Sequence, residues 1–325
     1  MLSLYSSSDF QVTLDQLAEK TELSQLSNRA WNFESDALSG SVIYGPKKNG
    51  YGFRLWNYRV KEDVELKRHY SRSSDWYLNI VVGSAGIESS SGEVSILSGA
   101  LANSEFHNLK MDNTFTIKAP GEIISCSYYI DRVYLEQYLN DQLERVRSIL
   151  DSTDSMAFYE LLTAQTQEMM RSCFPGDWTN LFFEDLVGTR VHHMLLTNLE
   201  VFWKRMSTSE AFDVNNQQVQ NMLKVNTLFG DYHNPPTIRE ISEFVGMNEV
   251  AAQELFKQIY GKTPYQFFNE SRLAEAHRLI LDSPHRISEI GAMLGFASMS
   301  HFSKAFKKAY NVLPKQLQLQ RQRLN

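Results

Sequence analysis

Two clusters of side chains near the end of the chain have the types and spacing that contact nucleic acid. Between 297 and 308 stand Ala297, Ser298, Met299, His301, Ser303, Lys304, Lys307 and Lys308. Hydroxyl, imidazole and ammonium groups exchange hydrogen bonds with base edges, and lysines neutralise phosphate. About fifty residues earlier, Glu249, Val250, Ala251, Gln253 and Lys257 form a second cluster. Glu254 also falls outward there. Carboxylates repel phosphate but accept from cytosine N4, so the later cluster is expected to supply more of the affinity. Arg272, Lys307 and Lys308 are the phosphate candidates, and the others apart from Glu254 are base-reading candidates.

Other chemistries are poorly served. No G-x-S-x-G, Walker loop or dinucleotide fingerprint occurs. His69 and His107 stand alone. His192 and His193 are adjacent, so on a helix they diverge by about 100° and make poor joint ligands. Cys126 and Cys173 lack a C-x-x-C partner. No metal, cofactor or catalysis is expected, and two cysteines suit a reducing cytoplasm rather than a disulfide framework.

The elements that must position these clusters are short helices. Ile287, Ile290, Met293 and Leu294 share one helical face, Gly295 ends that helix, and Ser298 is suited to N-cap the next. Phe302, Ala305, Phe306 and Ala309 make a buried stripe on it, leaving the basic face outward. This is the pattern of a helix-turn-helix whose second helix enters the major groove. The pattern occurs once before: Gly246 matches Gly295, Asn248 matches Ser298, and Ala252, Leu255, Phe256 and Ile259 match the later stripe. Two copies are too few for a solenoid. Between them, 264–281 reads as one rigid helix with Phe268, Leu273, Ala276, Leu279 and Ile280 buried. Two readers on one face of a duplex must sit roughly 34 Å apart.

The stretches NPPTIREISEFVGM at 234–247, LFKQIYGKTP at 255–264, RLAEA at 272–276 and IGAMLGFASMSHFSKAFKK at 290–308 carry a specific resemblance. Over about the last third of the chain, this sequence resembles the DNA-binding domain of the AraC/XylS family of bacterial transcription regulators. The NPP and GMNE wording is similar to the branch related to pyochelin-type siderophore regulators. The chain departs from the family pattern at Gly291, where alanine is usual and glycine costs about 1 kcal/mol unless close packing needs it. Asn311 replaces a glycine, Leu313 a threonine, and Ala252 a larger apolar residue. The resemblance implies double-stranded promoter DNA and RNA polymerase as partners, activation, a small-molecule effector and a homodimer.

The rest of the chain fits a separate sensor. The 325 residues carry a net charge of −6, but from Val214 onward the net is +4 and before it −10. That asymmetry suits a basic reader joined to an acidic body. No apolar run is long enough to span a membrane, and the N-terminus lacks a signal-peptide pattern. A cytoplasmic protein is therefore expected.

The fold class expected is α+β and multidomain. A surface helix is predicted over 11–28. A β-rich region over about 41–130 contains six short strands suited to a sandwich or barrel. The resemblance implies that this region is cupin-like. Trp56, Tyr58, Trp76, Tyr77 and Phe115 could line an effector pocket there or be plain core. Helices follow over 132–150, 156–174 and 177–205, available for dimerisation or for packing on the sheet. The expected division is 1–205 for effector binding and dimerisation, 206–216 for a linker, and 217–325 for DNA binding, with helix-turn-helix units at about 238–261 and 287–310. Rival readings are an enzyme or sugar-binding cupin with a DNA-binding tail, and a constitutive or partner-controlled regulator whose first domain only dimerises.

Overall fold

The computed structural model of the chain describes residues 2–6, 9–68, 76–83, 87–89, 102–108, 113–139, 144–151, 157–162, 164–174, 182–208, 218, 221–222 and 225–324. They fall into two units, Met1–Lys224 and Val225–Asn325.

The first unit is sheet-rich. Its strands are β1 (Leu2–Ser6), β2 (Glu22–Ser27), β3 (Ala30–Glu34), β4 (Leu38–Lys48), β5 (Tyr51–Val60), β6 (Val64–Arg68), β7 (Trp76–Gly83), β8 (Ile87–Ser89), β9 (Asn103–His107), β10 (Asn113–Ile117), β11 (Gly121–Ile130) and β12 (Ala157–Leu161). A large sheet runs in the order β12-β9-β7-β11-β5-β4-β3-β2, and a small one in the order β1-β6-β10-β8. Residue alternation gives each central strand two different faces. One face of the large sheet (Phe33, Val42, Val60, Val81, Ile123) shares a core with Leu4, Val64, Phe115 and Ile117 of the small sheet. Helix α1 (Phe10–Lys20) adds Phe10, Leu14 and Leu17 to that core.

The opposite face (Leu55, Leu78, Ile80, Cys126, Tyr128) packs on helices. These are α2 (Arg132–Glu136), α3 (Glu144–Asp151), α4 (Ala164–Arg171) and α5 (Phe183–Thr208). Covered on both sides, β7 is buried along Trp76–Val82. This explains its nearly unbroken apolar run. Val187, Val191, Leu195, Leu199 and Phe202 form the buried stripe of α5. The Tyr128 hydroxyl donates to the carbonyl of Val191 at 2.8 Å.

Several sequence expectations change here. The helix predicted over 11–28 ends at Lys20, and 22–27 pairs as β2 with β3. Local amphipathicity there gave way to strand pairing. The sheet-rich region therefore starts well before 41. The helix predicted over 156–174 is a strand, β12, followed by α4, because Ala157–Leu161 pairs antiparallel with β9. The 132–150 segment divides into α2 and α3. Helix α5 runs past 205 to Thr208, into the expected linker, whose residues 209–216 lie outside the described residues. One of the six expected strands, at 92–99, and His69 also lie outside them.

The second unit is helical. After a 3-10 turn (Val225–Gly230) come α6 (Ile238–Val245), α7 (Glu249–Tyr260), α8 (Pro264–Asp282), α9 (Ile287–Met293), α10 (Met299–Tyr310) and α11 (Pro314–Leu324). Thr237 and Glu240 form a capping box at the start of α6, and Thr263 with Gln266 forms another ahead of Pro264. Each such cap satisfies amide groups the helix itself leaves unpaired. Helix α8 serves both helix pairs. Phe267 packs against Phe256 and Tyr260 of α7, with ring centroids 5.6 and 4.9 Å away. Farther along, Leu273, Ala276 and Ile280 join Ile290, Leu294, Phe302 and Phe306.

Candidate nucleic-acid interface

Both helix pairs turn through a glycine in the left-handed region, Gly246 at φ 78° and Gly295 at φ 69°. The following helix is N-capped by Asn248, which accepts from the Ala251 amide, or by Ser298, which accepts from the His301 amide at 3.1 Å. These are the turn and caps expected from sequence. Asn311 adopts φ 56° at the end of α10, the conformation asparagine tolerates.

Glycine at 291 has a packing reason. A Cβ there would lie 2.9 Å from the Met299 sulfur. The end of the Met299 side chain fills the space that a methyl would take. That side chain is thus partly committed to the helix pair.

On α10, Phe302 and Phe306 are fully buried, while Ala305 is half-buried and Ala309 exposed. The opposite face exposes Met299, His301, Lys304, Lys307 and Lys308, with Ser303 half-buried and Ala297 and Ser298 exposed at its start. Ser300, Ser303, Lys304, Lys307, Lys308 and Asn311 line an open groove of about 500 Å³. None of the three lysines is ion-paired among the described residues. The surface is therefore a row of available cations and hydroxyls, suited to phosphate and base edges.

On α7, Ala252, Leu255, Phe256, Ile259 and Tyr260 are buried. Glu249, Val250, Gln253, Glu254 and Lys257 are exposed, and Ala251 is half-buried. Two residues of these outer faces, Ser300 and Glu254, were absent from the base-reading candidates. The register of the internal repeat, which puts Ser300 opposite Val250 and Glu254 opposite Lys304, was the signal for both.

Arg272 is a correction. It was a phosphate candidate, yet it is only 9% exposed. Its Nε donates to the Leu294 carbonyl at 2.8 Å, and its guanidinium stacks 3.9 Å from the Phe296 ring centroid. Burial holds its pKa below the ordinary arginine value. The side chain closes the end of α9 instead of facing solvent.

The aromatic set of the first unit does not converge. Trp56 and Tyr58 line a cavity of about 50 Å³ between the sheets, with Thr13, Gln16, Ser125 and Ser127. Trp76 lies on the helix-covered face, stacked 4.8 Å from Phe106. Tyr77 points to the other face and stacks 5.4 Å from His107, whose Nε2 is 3.0 Å from the Asn79 amide. Phe115 is core beneath the small sheet. Alternation along β7 forces Trp76 and Tyr77 apart. His192 Nδ1 meets the Tyr51 hydroxyl at 2.9 Å, while His193 is exposed. Among the described residues no group of three acidic, histidine or cysteine side chains is placed to hold a metal, and no helix is long and apolar enough to cross a membrane.

Comparison with known proteins places this geometry. Residues 241–320 match the family profile described as a helix-turn-helix domain. The chain is 32% identical over 87 residues to the HTH-type transcriptional regulator ArgR of Pseudomonas aeruginosa, covering 27% of this chain and 26% of that one. It is also 32% identical over 74 residues to the virulence regulon transcriptional activator VirF of Yersinia enterocolitica, covering 23% and 27%. The matches thus span about a quarter of these relatives' length. A crystal structure of an AraC-type transcriptional regulator from Chromobacterium violaceum is 27% identical, covering 33% of this chain and 94% of that one at a TM-score of 0.30. The matched relatives are transcription regulators, not enzymes. The C-terminal unit thus contains a helix-turn-helix domain over 241–320, similar to those of AraC/XylS-family transcription regulators.

Proposed function

We propose that the whole chain is a sequence-specific DNA-binding transcription regulator that grips promoter DNA through two helix-turn-helix units, α6/α7 and α9/α10, held apart by α8. The observation that carries this reading is the face of α10, where Lys304, Lys307 and Lys308 stand exposed, without ion pairs among the described residues, beside Ser300 and Ser303. Such a face neutralises phosphate and reaches base edges together. Its twin on α7 shares the turn and the cap. Two readers on one rigid element fit successive major grooves of one duplex face.

The first unit is proposed as a cupin-like sensor that also pairs two protomers, acting in the cytoplasm as an activator that engages RNA polymerase. The Yersinia relative is a virulence regulon transcriptional activator, which supports the direction of control. A small effector would enter beside Trp56 and Tyr58 once the sheets part. The present cavity of about 50 Å³ has room for only a few waters. That observation favours a second reading, in which the first unit only dimerises or meets a protein partner.

Footprinting and gel shift of the full chain on genomic fragments at several salt concentrations test the main reading. A site with two adjacent major-groove contacts per protomer is the expected result. Binding with no site preference at any salt would refute it.

A further inference from the structure

Helices α7 and α10 are both twelve residues long and start one residue after their cap. The two buried positions of α10 coincide at an offset of fifty with two of the five on α7: Phe302 with Ala252, and Phe306 with Phe256. Tyr260 stands opposite Tyr310, and the end caps Gly261 and Asn311 are both left-handed. The outer faces are therefore also in register. Val250 corresponds to Ser300, Gln253 to Ser303, Glu254 to Lys304, and Lys257 to Lys307. Of these pairs, only Glu254 and Lys304 carry opposite charge.

Both side chains are exposed. Among the described residues neither forms an ion pair or a side-chain hydrogen bond, so each is available to a ligand. An ionised carboxylate only accepts hydrogen bonds, and an ammonium only donates them. In the major groove, cytosine offers the N4 amino group with no acceptor beside it on its own ring. Adenine offers N6 beside the N7 acceptor, whose lone pair repels the second carboxylate oxygen. Guanine presents O6 and N7, two acceptors together.

Resting on the DNA-reading proposal above, we infer that Glu254 and Lys304 occupy the same station in the two subsites and select opposite bases there, cytosine opposite α7 and guanine opposite α10. The first subsite then supplies discrimination with little affinity, since Glu249 and Glu254 oppose the phosphates. The second supplies both. The operator is accordingly two unlike half-sites rather than a simple repeat.

The test is selection of full-length protein on randomised duplexes, followed by sequencing, for the wild type and for Glu254→Ala and Glu254→Lys. The wild type is expected to show one cytosine, favoured roughly tenfold, in one half-site. Glu254→Ala removes that preference and leaves the other half-site as it was. Glu254→Lys converts it to guanine. A wild-type motif whose every position ignores both substitutions overturns the inference while leaving DNA reading intact. Failure of the wild type to select any motif overturns the DNA-reading proposal and this inference together. Because residue 254 is exposed, neither variant disturbs the core.

Discussion

The Arg272 guanidinium donates from Nε to the Leu294 carbonyl oxygen at 2.8 Å, joining the middle of α8 to the last turn of α9. The last carbonyls of a helix lack partners within it, and a cation there also meets the negative end of the helix dipole. Phe268 and Phe296 lie near the guanidinium at 5.1 and 3.9 Å. The second reader is thus tied to the connecting helix by a cation that sequence alone assigned to DNA.

Arg272→Ala is expected to cost about 2 kcal/mol, because a buried carbonyl loses a charged donor and two rings lose their partner. Amide exchange over 287–310 in the full chain would show roughly 30-fold less protection. Arg272→Lys should not restore it, since the planar fork and the stacking are lost. The salt slope of DNA binding should stay unchanged. A slope that fell by one would return Arg272 to the phosphate contacts.

The two turn glycines should respond unequally. Gly246 has open space around a built Cβ, so Gly246→Ala carries only the strain of its left-handed backbone, about 1 kcal/mol. At Gly295 a Cβ would fall 2.4 Å from the Tyr232 carbonyl oxygen as well. Backbone cannot step aside as a flexible side chain does. Gly295→Ala is expected to cost at least twice as much, read as a larger fall in amide protection over 287–310 than Gly246→Ala produces over 238–260.

The helical unit was legible because its signals are local. Caps, turn glycines and the 3.6-residue stripe all lie within one or two turns of each other, and the repeat doubled every one of them. Arg272 escaped because its partner stands 22 residues away, on another helix. The sheet unit was legible only in part. β2 and β12 are held by pairing with β3 and β9, and in isolation their residues fit a helix as well as a strand. The aromatic set was misleading for a simpler reason. Adjacent residues such as Trp76 and Tyr77 point to opposite faces, so closeness in sequence said nothing about a shared pocket.

Acid should loosen the start of α6. The Thr237 backbone amide donates to Glu240 Oε2 at 2.7 Å and its hydroxyl does so at 2.8 Å. The backbone bond first, and then the hydroxyl, hold the Glu240 carboxyl below the usual glutamate range. A depressed folded pKa means that this stability is complete above the unfolded value of about 4.3 and is lost as pH falls through the lower folded value. Glu240→Gln keeps an acceptor and loses the titration. Amide exchange of residues 238–240 between pH 5 and pH 3 should therefore rise more in the wild type than in the variant, after correction for intrinsic rates.

The lysines of α10 should separate into two kinds of contact. In the proposed reading Lys304 takes the base-reading station, whereas Lys308 lies farther along the exposed flank with Lys307. Lys308→Ala is expected to weaken binding to every duplex alike and to flatten the dependence of log K on log salt by about one, the release of a single counterion. Lys304→Ala should also weaken binding, but its effect should concentrate at one base pair, with about 1–3 kcal/mol of discrimination lost there. Titrating both variants against the preferred site and its single-base changes, at three salt concentrations, distinguishes the two. If Lys308→Ala left the salt slope unchanged, its phosphate contact would be wrong. A uniform loss with Lys304→Ala would make that residue a further phosphate contact and remove guanine reading from α10.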